Sequence, residues 1–249
     1  MHVANIHILY NNCFPWYHMQ NRLGEMDMGQ EREIRQLVLS LGADACGFAA
    51  MDRFEDAPAG FHPQDIYPDC RAAVVFLKCM PKGLAQVGPR IAYHHFSNMT
   101  LARVDEIALA ASHAIERLGG RAVPVPCDSP YEYWDAERTE GRGILSMRHA
   151  AVLAGLGGLG KSSLFLSPKY GSMVNIGMVL IDLALESDPL MDSPCIKNCH
   201  ICLDGCPAHA LDGVSANQLL CRAHTYETNA RGFDVCNCNR CRTLCPLSR

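Results

Sequence analysis

Nine of the fourteen cysteines fall between Cys195 and Cys245, and their spacing constrains this chain more than any other feature. The first run is Cys195-x3-Cys199-x2-Cys202-x3-Cys206-Pro207, and the second is Cys238-x2-Cys241-x3-Cys245-Pro246. Cys221 lies between the runs and Cys236 just ahead of the second. Two copies of Cys-x2-Cys-x3-Cys-Pro are the mark of a module that binds two 4Fe–4S clusters. The spacing has a physical reason. Cys-x2-Cys lets one tight turn aim two thiolates at one cubane, while the Cys three residues on projects away to the other cluster. Pro then closes the turn without needing a hydrogen bond of its own. By this crossing rule Cys195, Cys199, Cys202 and Cys245 hold one cluster. Cys206, Cys238 and Cys241 hold the other, with either Cys221 or Cys236 as its fourth ligand. Zinc ribbons also use paired Cys-x2-Cys, but not the trailing x3-Cys-Pro twice over. Soft thiolates select iron–sulfur or zinc over magnesium and calcium.

A disulfide framework suits short secreted chains. The start of this one, MHVANIHILYNNCF, lacks the basic residues and clean apolar run of a secretory signal, and has no twin arginine. The expected compartment is the reducing cytoplasm. The 249 residues carry 22 Lys+Arg against 26 Asp+Glu, a formal charge of −4, so no overall electrostatic footprint for nucleic acid is visible. No stretch has the roughly 18 uncharged apolar residues of a membrane helix.

Residues 1–28 show no clear period and read as a poorly packed extension upstream of the true start; 29–185 read as one domain and 186–249 as another. Ile34, Leu37, Val38 and Leu41 recur at helical spacing before Gly42. Strands are expected at 45–51 and 72–77, and a helix from 97–100 to Gly119 carries the stripe Leu101, Val104, Ile107, Ala108, Ala111, Ile115, Leu118. An edge strand at 122–125 would tolerate Pro124. Residues 126–143 are too long for a plain connection and read as a functional loop. A helix at 146–154 precedes a glycine turn at 155–160, and 164–166 and 174–185 are apolar enough for central strands. This alternation implies an α/β layer structure.

The turn Gly155-Leu-Gly-Gly-Leu-Gly160-Lys161-Ser162 satisfies the G-x4-G-K-S/T phosphate-loop pattern. That mechanism needs a helix directly after the lysine, whereas SSLFLSPKYGS follows, with Pro168 and Gly171 as breakers. A glycine turn for close packing, or a binding turn for a bulky cofactor, fits better.

The run AGLGGLGKSSLFLSPKYGS, the apolar strand ending in Asp182, LDGCPAHAL and CNRCRTLCP together resemble the epoxyqueuosine reductases, relatives of the corrinoid-dependent reductive dehalogenases. The resemblance covers 146–249 strongly and 30–145 weakly. It implies an α+β protein: an α/β cobalamin-reductase-like (nitroreductase-like) domain followed by a two-cluster ferredoxin-like module. Electrons from the clusters would reach a bound cobalamin. Carried over by motif, it favours Cys221 over Cys236, puts corrinoid contacts at Gly160, Lys161, Ser162, Gly171 and Asn239, and offers Asp128 in Asp128-Ser129-Pro130 as the proton donor, with an ordinary Asx-turn residue as the alternative reading. The departures are Ser162 where Asn is usual, Gly158 where Trp is common, and some dozen extra residues, YEYWDAERTEGRG, after the Asp128 motif. The helical-repeat region that helps the queuosine enzyme hold tRNA has no counterpart before Arg249. From that and the charge, the expected substrate is a small organic molecule and not a nucleic acid, with ferredoxin or flavodoxin as electron donor and no membrane partner. The alternatives are an electron carrier or corrinoid-activating protein without its own substrate, and tRNA epoxyqueuosine reduction itself.

Other candidates have plainer readings. His94, His95 and His149 suit surface or core positions as well as a cofactor. His200 lies between two ligands. Tyr131, Tyr133 and Trp134 could shape a pocket or anchor the loop, and Arg240 and Arg242 could offset cluster charge.

Overall fold

The computed structural model describes residues 29–87 and 91–248; the extension expected over 1–28 lies outside the described residues. Helix α1 (Gln30–Ser40) buries Ile34 and Val38 and carries Glu31 and Glu33 in its first turn, where carboxylates complement the helix dipole. Strand β1 (Ala45–Ala50) follows, then a short helix α2 (Pro63–Ile66) whose His62 and Asp65 form a reciprocal cap. Strand β2 (Ala72–Cys79) leads to the long helix α3 (Ile91–Arg117), and strand β3 (Ala122–Val125) returns along the sheet. Strands β4 (Tyr133–Asp135) and β5 (Glu140–Arg142) form a hairpin inside the expected loop. Helix α4 (Met147–Leu153) precedes a second small hairpin, β6 (Gly158–Leu159) with β7 (Phe165–Leu166), and then strand β8 (Val174–Ile181). The cysteine-rich part carries α5 (Ile201–Asp204), α6 (Gln218–Thr225), a ribbon of β9 (Tyr226–Thr228) and β10 (Asp234–Cys236), and α7 (Arg240–Thr243).

The main sheet runs β1-β2-β8-β3, and every neighbouring pair is antiparallel. The layer order is helix, sheet, helix. Val74, Phe76, Val179 and Ile181 pack against α1 and α3 through Val38, Val104, Ile107, Ala111 and Ile115. Ala73, Val75, Leu77, Met178 and Leu180 face Ala150 and Ala151 of α4 and Ala154 at its C-terminal end. Burial on both faces explains why β2 and β8 read as continuous apolar runs. An apolar run carries no strand direction, so the alternation of strand and helix gave the layers but not the antiparallel sense of the strands. β3 pairs only with β8, and Pro124 sits on this edge strand as expected.

Three expectations change. α3 begins at Ile91, before the expected 97–100, because Tyr93 is buried even though Ser97 and Asn98 interrupt the apolar stripe. The stretch 164–166 is not a central strand but one side of the β6–β7 hairpin. The strand expected over 174–185 ends at Ile181.

The edge strand β1 is covered by the segment leading to the cysteines. Asp188 N donates to Phe48 O at 3.0 Å, and Phe48 N donates to Asp188 Oδ2 at 2.9 Å. Ala50 N donates to Ser187 Oγ at 2.9 Å, and Arg35 Nη2 reaches both Asp188 carboxylate oxygens at 2.8 and 2.9 Å. Otherwise unpaired edge groups are thereby satisfied.

Candidate metal centre

Cys195, Cys199 and Cys202 come from the turn and helix of the first run, and Cys245 follows α7 in the second. All four line one cavity, together with Gly160, Lys161 and Ser162 of the glycine turn. Burial raises the pKa of the Cys202 thiol, and the neighbouring Cys195, Cys245 and Cys199 raise it further. Crowded thiols resist losing protons unless a cation joins them, so such a site favours metal-coupled deprotonation.

A second group forms around Cys241. Burial pushes its thiol up to about 11; Arg242 opposes this, while Cys221, Cys238 and Cys206 add to it. The Cys236 thiol instead donates to the Cys238 carbonyl at 3.2 Å. Cys206 Sγ accepts from Ala210 N at 3.4 Å, the kind of N–H···S contact that tunes a cluster. Among the described residues, no three His, Cys, Asp or Glu gather tightly enough to hold a single ion. Thirteen described cysteines are free, and a soft thiolate donor set suits an iron–sulfur cubane.

The glycine turn serves the cysteine module directly. Lys161 Nζ donates to Cys199 O at 2.9 Å and also to Lys197 O. A Cβ at Gly158 would lie 2.4 Å from Ser193 Cα, so the absence of a side chain lets this segment pass. Ser193 Oγ in turn donates to Leu159 O at 2.8 Å and accepts from Cys195 N at 3.2 Å. No helix follows Lys161, and a phosphate loop is excluded.

The five residues expected to touch a corrinoid divide accordingly. Gly171 has φ +57°, and a Cβ there would meet Leu247 O at 2.2 Å; it holds the segment after Cys245. Gly160 packs on Leu166, and Lys161 is committed to carbonyls. Ser162 is buried beside the first thiols. Asn239, at the N-cap of α7, is 6% exposed and its Nδ2 has no hydrogen-bond partner. A buried amide donor without an acceptor is costly, and it is the observation that fits an additional polar group at this place.

Asp128 makes no hydrogen bond among the described residues and keeps an open face to solvent. Partial desolvation raises its carboxyl pKa, Asp105 adds to this and Arg222 opposes it. The hairpin that follows is anchored: the Tyr131 and Trp134 rings stack at 5.8 Å, and Arg222 lies over both. Arg222 and Gln218 of α6 are the residues the sequence reading missed, because nothing local links them to a loop some eighty positions earlier. Tyr133 lies under Arg142 at 5.4 Å. The histidines have plain roles: His94 bonds Asn98 at 3.0 Å, His95 packs edge-on to Phe96, His149 bonds Ser146 at 2.7 Å, and His200 is exposed at the N-cap of α5. Arg240 donates to Gly205 O at 3.1 Å, and Arg242 donates to Val174 O at 3.3 Å beside Cys241.

No family model matches the chain. Over 118 residues it is 33% identical to the epoxyqueuosine reductase of Staphylococcus aureus, a match covering 43% of this chain and 30% of that protein. Its fold is similar to an epoxyqueuosine reductase solved with an epoxyqueuosine-modified tRNA-Tyr stem loop, with a TM-score of 0.58 at 19% identity, covering 88% of this chain and 65% of that one. It is also similar to a reductive dehalogenase whose structure suggests a mechanism for B12-dependent dehalogenation, with a TM-score of 0.69 at 21% identity, covering 92% and 33%. At these identities the structural likeness is one of fold. The chain therefore spans about 30% of the length of the curated relative it matches. The tRNA stem loop overturns the expectation of a small-molecule substrate with nucleic acid excluded. A charge of −4 is a sum over the whole chain, whereas nucleic acid meets a local surface. No described helix is long and apolar enough to cross a membrane.

Proposed function

We propose that the chain is a cytoplasmic iron–sulfur reductase of the epoxyqueuosine reductase kind, with residues 186–249 as a two-cluster ferredoxin-like module on an α/β part over 29–185. The observation that carries this is that Cys245 of the second run lines the same cavity as Cys195, Cys199 and Cys202 of the first. We assign those four to one cluster and Cys206, Cys221, Cys238 and Cys241 to the other. Cys221 is favoured over Cys236 by the resemblance to the epoxyqueuosine reductases, and it stands with Cys238 and Cys206 around Cys241.

When bound, the clusters supply single electrons and a corrinoid supplies a cobalt centre for them. The likeness to a B12-dependent dehalogenase and the free Asn239 amide support the corrinoid. In this chain Asn239 and Ser162 would contact it, while Gly160, Lys161 and Gly171 fix the cysteine segments beside it.

The substrate we assign is a modified nucleoside carried by tRNA, following the similar proteins. Removing an epoxide oxygen as water takes two electrons and two protons, so a proton donor is needed. Asp128 is assigned that role, since its raised pKa keeps the acid form to higher pH than an ordinary aspartate.

The test is anaerobic holoprotein analysed for iron, sulfide and Mössbauer signature, then incubated with reductant and epoxyqueuosine-containing tRNA. About eight iron atoms per chain as two cubanes, with conversion to queuosine, is the expected result. Zinc, or a single cluster, overturns the cluster assignment; intact clusters without conversion overturn the substrate.

A further inference from the structure

Helix α6 grips the loop bearing Asp128 at both ends. Arg222 lies 5.2 Å from the ring centroids of Tyr131 and of Trp134, and its Nη2 donates to Tyr131 Oη at 3.0 Å. Its Nε donates to Gln218 Oε1 at 3.2 Å. That oxygen accepts from Gly141 N at 3.0 Å, while Gln218 Nε2 donates to Gly141 O at 3.1 Å. Gly141 permits this closure, because a Cβ there would lie 2.9 Å from the Tyr131 ring. Tyr131 is three residues after Asp128, and Cys221 lies between Gln218 and Arg222 on the same eight-residue helix. A helix this short has little stability of its own. Among the described residues, what ties α6 down is the Asn217 cap and its bonds to the loop.

We propose that Arg222 and Gln218 are positioning residues that hold the Asp128 loop in register with Cys221, so that filling the second cluster site and placing the proton donor are one event. This rests on the reading of Cys221 as a ligand and Asp128 as the donor. Ligation of Cys221 fixes α6, and the guanidinium plane and the Gln218 amide pass that order to the hairpin. No direct bond between Asp128 and the cluster site is required.

Arg222→Lys keeps the charge but loses the planar fork that stacks and bonds; Gln218→Ala releases the Gly141 end alone. Each variant is purified as holoprotein and its iron measured first. Two readouts follow: trypsin cleavage after Arg138, whose side chain is 78% exposed on the hairpin, and emission of Trp134, isolated by a Trp134→Phe control. At wild-type iron content, cleavage should accelerate about tenfold or more in Arg222→Lys and less in Gln218→Ala. Trp134 emission should shift to the red, and kcat on the tRNA substrate should fall with normal cluster spectra. Wild-type cleavage and emission in both fully loaded variants would overturn the proposal while leaving the clusters intact. A wild-type protein without clusters would overturn the parent reading, and this inference with it.

Discussion

The Lys161 ammonium donates to the Cys199 carbonyl at 2.9 Å, tying the glycine turn to the first cysteine run. A lysine that the phosphate-loop pattern would aim at a nucleotide is used to fix backbone beside thiols. Lys161→Met removes this bond and the one to Lys197 O, a loss of about 1–2 kcal/mol for half-exposed charged hydrogen bonds. The expected result is faster release of iron to a chelator from the holoprotein, with the circular dichroism spectrum unchanged. Equal release rates would show that the lysine contributes nothing there.

Gly171 and Leu247 make a second tie. At φ +57°, with Leu247 O 2.2 Å from a Cβ, Gly171→Ala is both strained and obstructed. The segment after Cys245 must move, so the variant should lose about half its iron, with the remaining cluster being the one assigned to Cys206, Cys221, Cys238 and Cys241. Iron analysis with electron paramagnetic resonance separates this from loss of both.

Cys221→Ser and Cys236→Ser discriminate between the two candidates for the fourth ligand. Loss of Cys221 should reduce iron to about four atoms per chain, while loss of Cys236 removes only a thiol bond to Cys238 O and should leave about eight. The reverse pattern would transfer the ligand role to Cys236.

Asp188 anchors the covering of β1 through the Arg35 fork and the Phe48 amide. Asp188→Ala leaves a half-buried guanidinium and an edge amide without their acceptor, costing about 1–2 kcal/mol. For a chain of this length that lowers the melting temperature by roughly 3–6 °C. Arg35→Lys should not substitute for the fork. Calorimetry of the two variants checks both statements.

The pH dependence has a definite sign. Partial desolvation raises the Asp128 carboxyl above its ordinary value, so the donor form is present below the raised value and activity falls as pH climbs through it. The same shift makes the charged form unfavourable in the fold, so this group's contribution to stability is also lost on that rise. Arg222 lowers the value and Asp105 raises it. Asp105→Asn should therefore move the falling limb of kcat to lower pH, and Arg222→Met should move it to higher pH. A profile unmoved by either variant would remove Asp128 from the proton transfer.

Much of the layer structure was legible, because α1, β1, β2, α4 and β8 each satisfy one strong period over their own length. What escaped depends on distant partners. The early start of α3 rests on Tyr93, which is buried near Arg242 and Cys241 of the last helix. The β4–β5 hairpin closes through Gly141 against Tyr131 and is held by Gln218 and Arg222, none of which announces the others in sequence. The cysteine spacing suggested which thiols meet because it is a pattern of turns. Small residues that admit a ligand and small residues that admit another stretch of backbone look the same in sequence. Here Gly158 faces Ser193 and Gly171 faces Leu247.

The sharing of one cavity by Cys202 and Cys245 sets an order for biosynthesis. A ribosome delivers the first three thiols of that site well before the fourth, and the nascent chain must keep them reduced and unclaimed in the interval. With the assigned ligand sets, neither inorganic core can be sealed until translation has passed the second run, so insertion of iron must wait on the last cysteines and a shortage of it leaves the earlier thiols unclaimed.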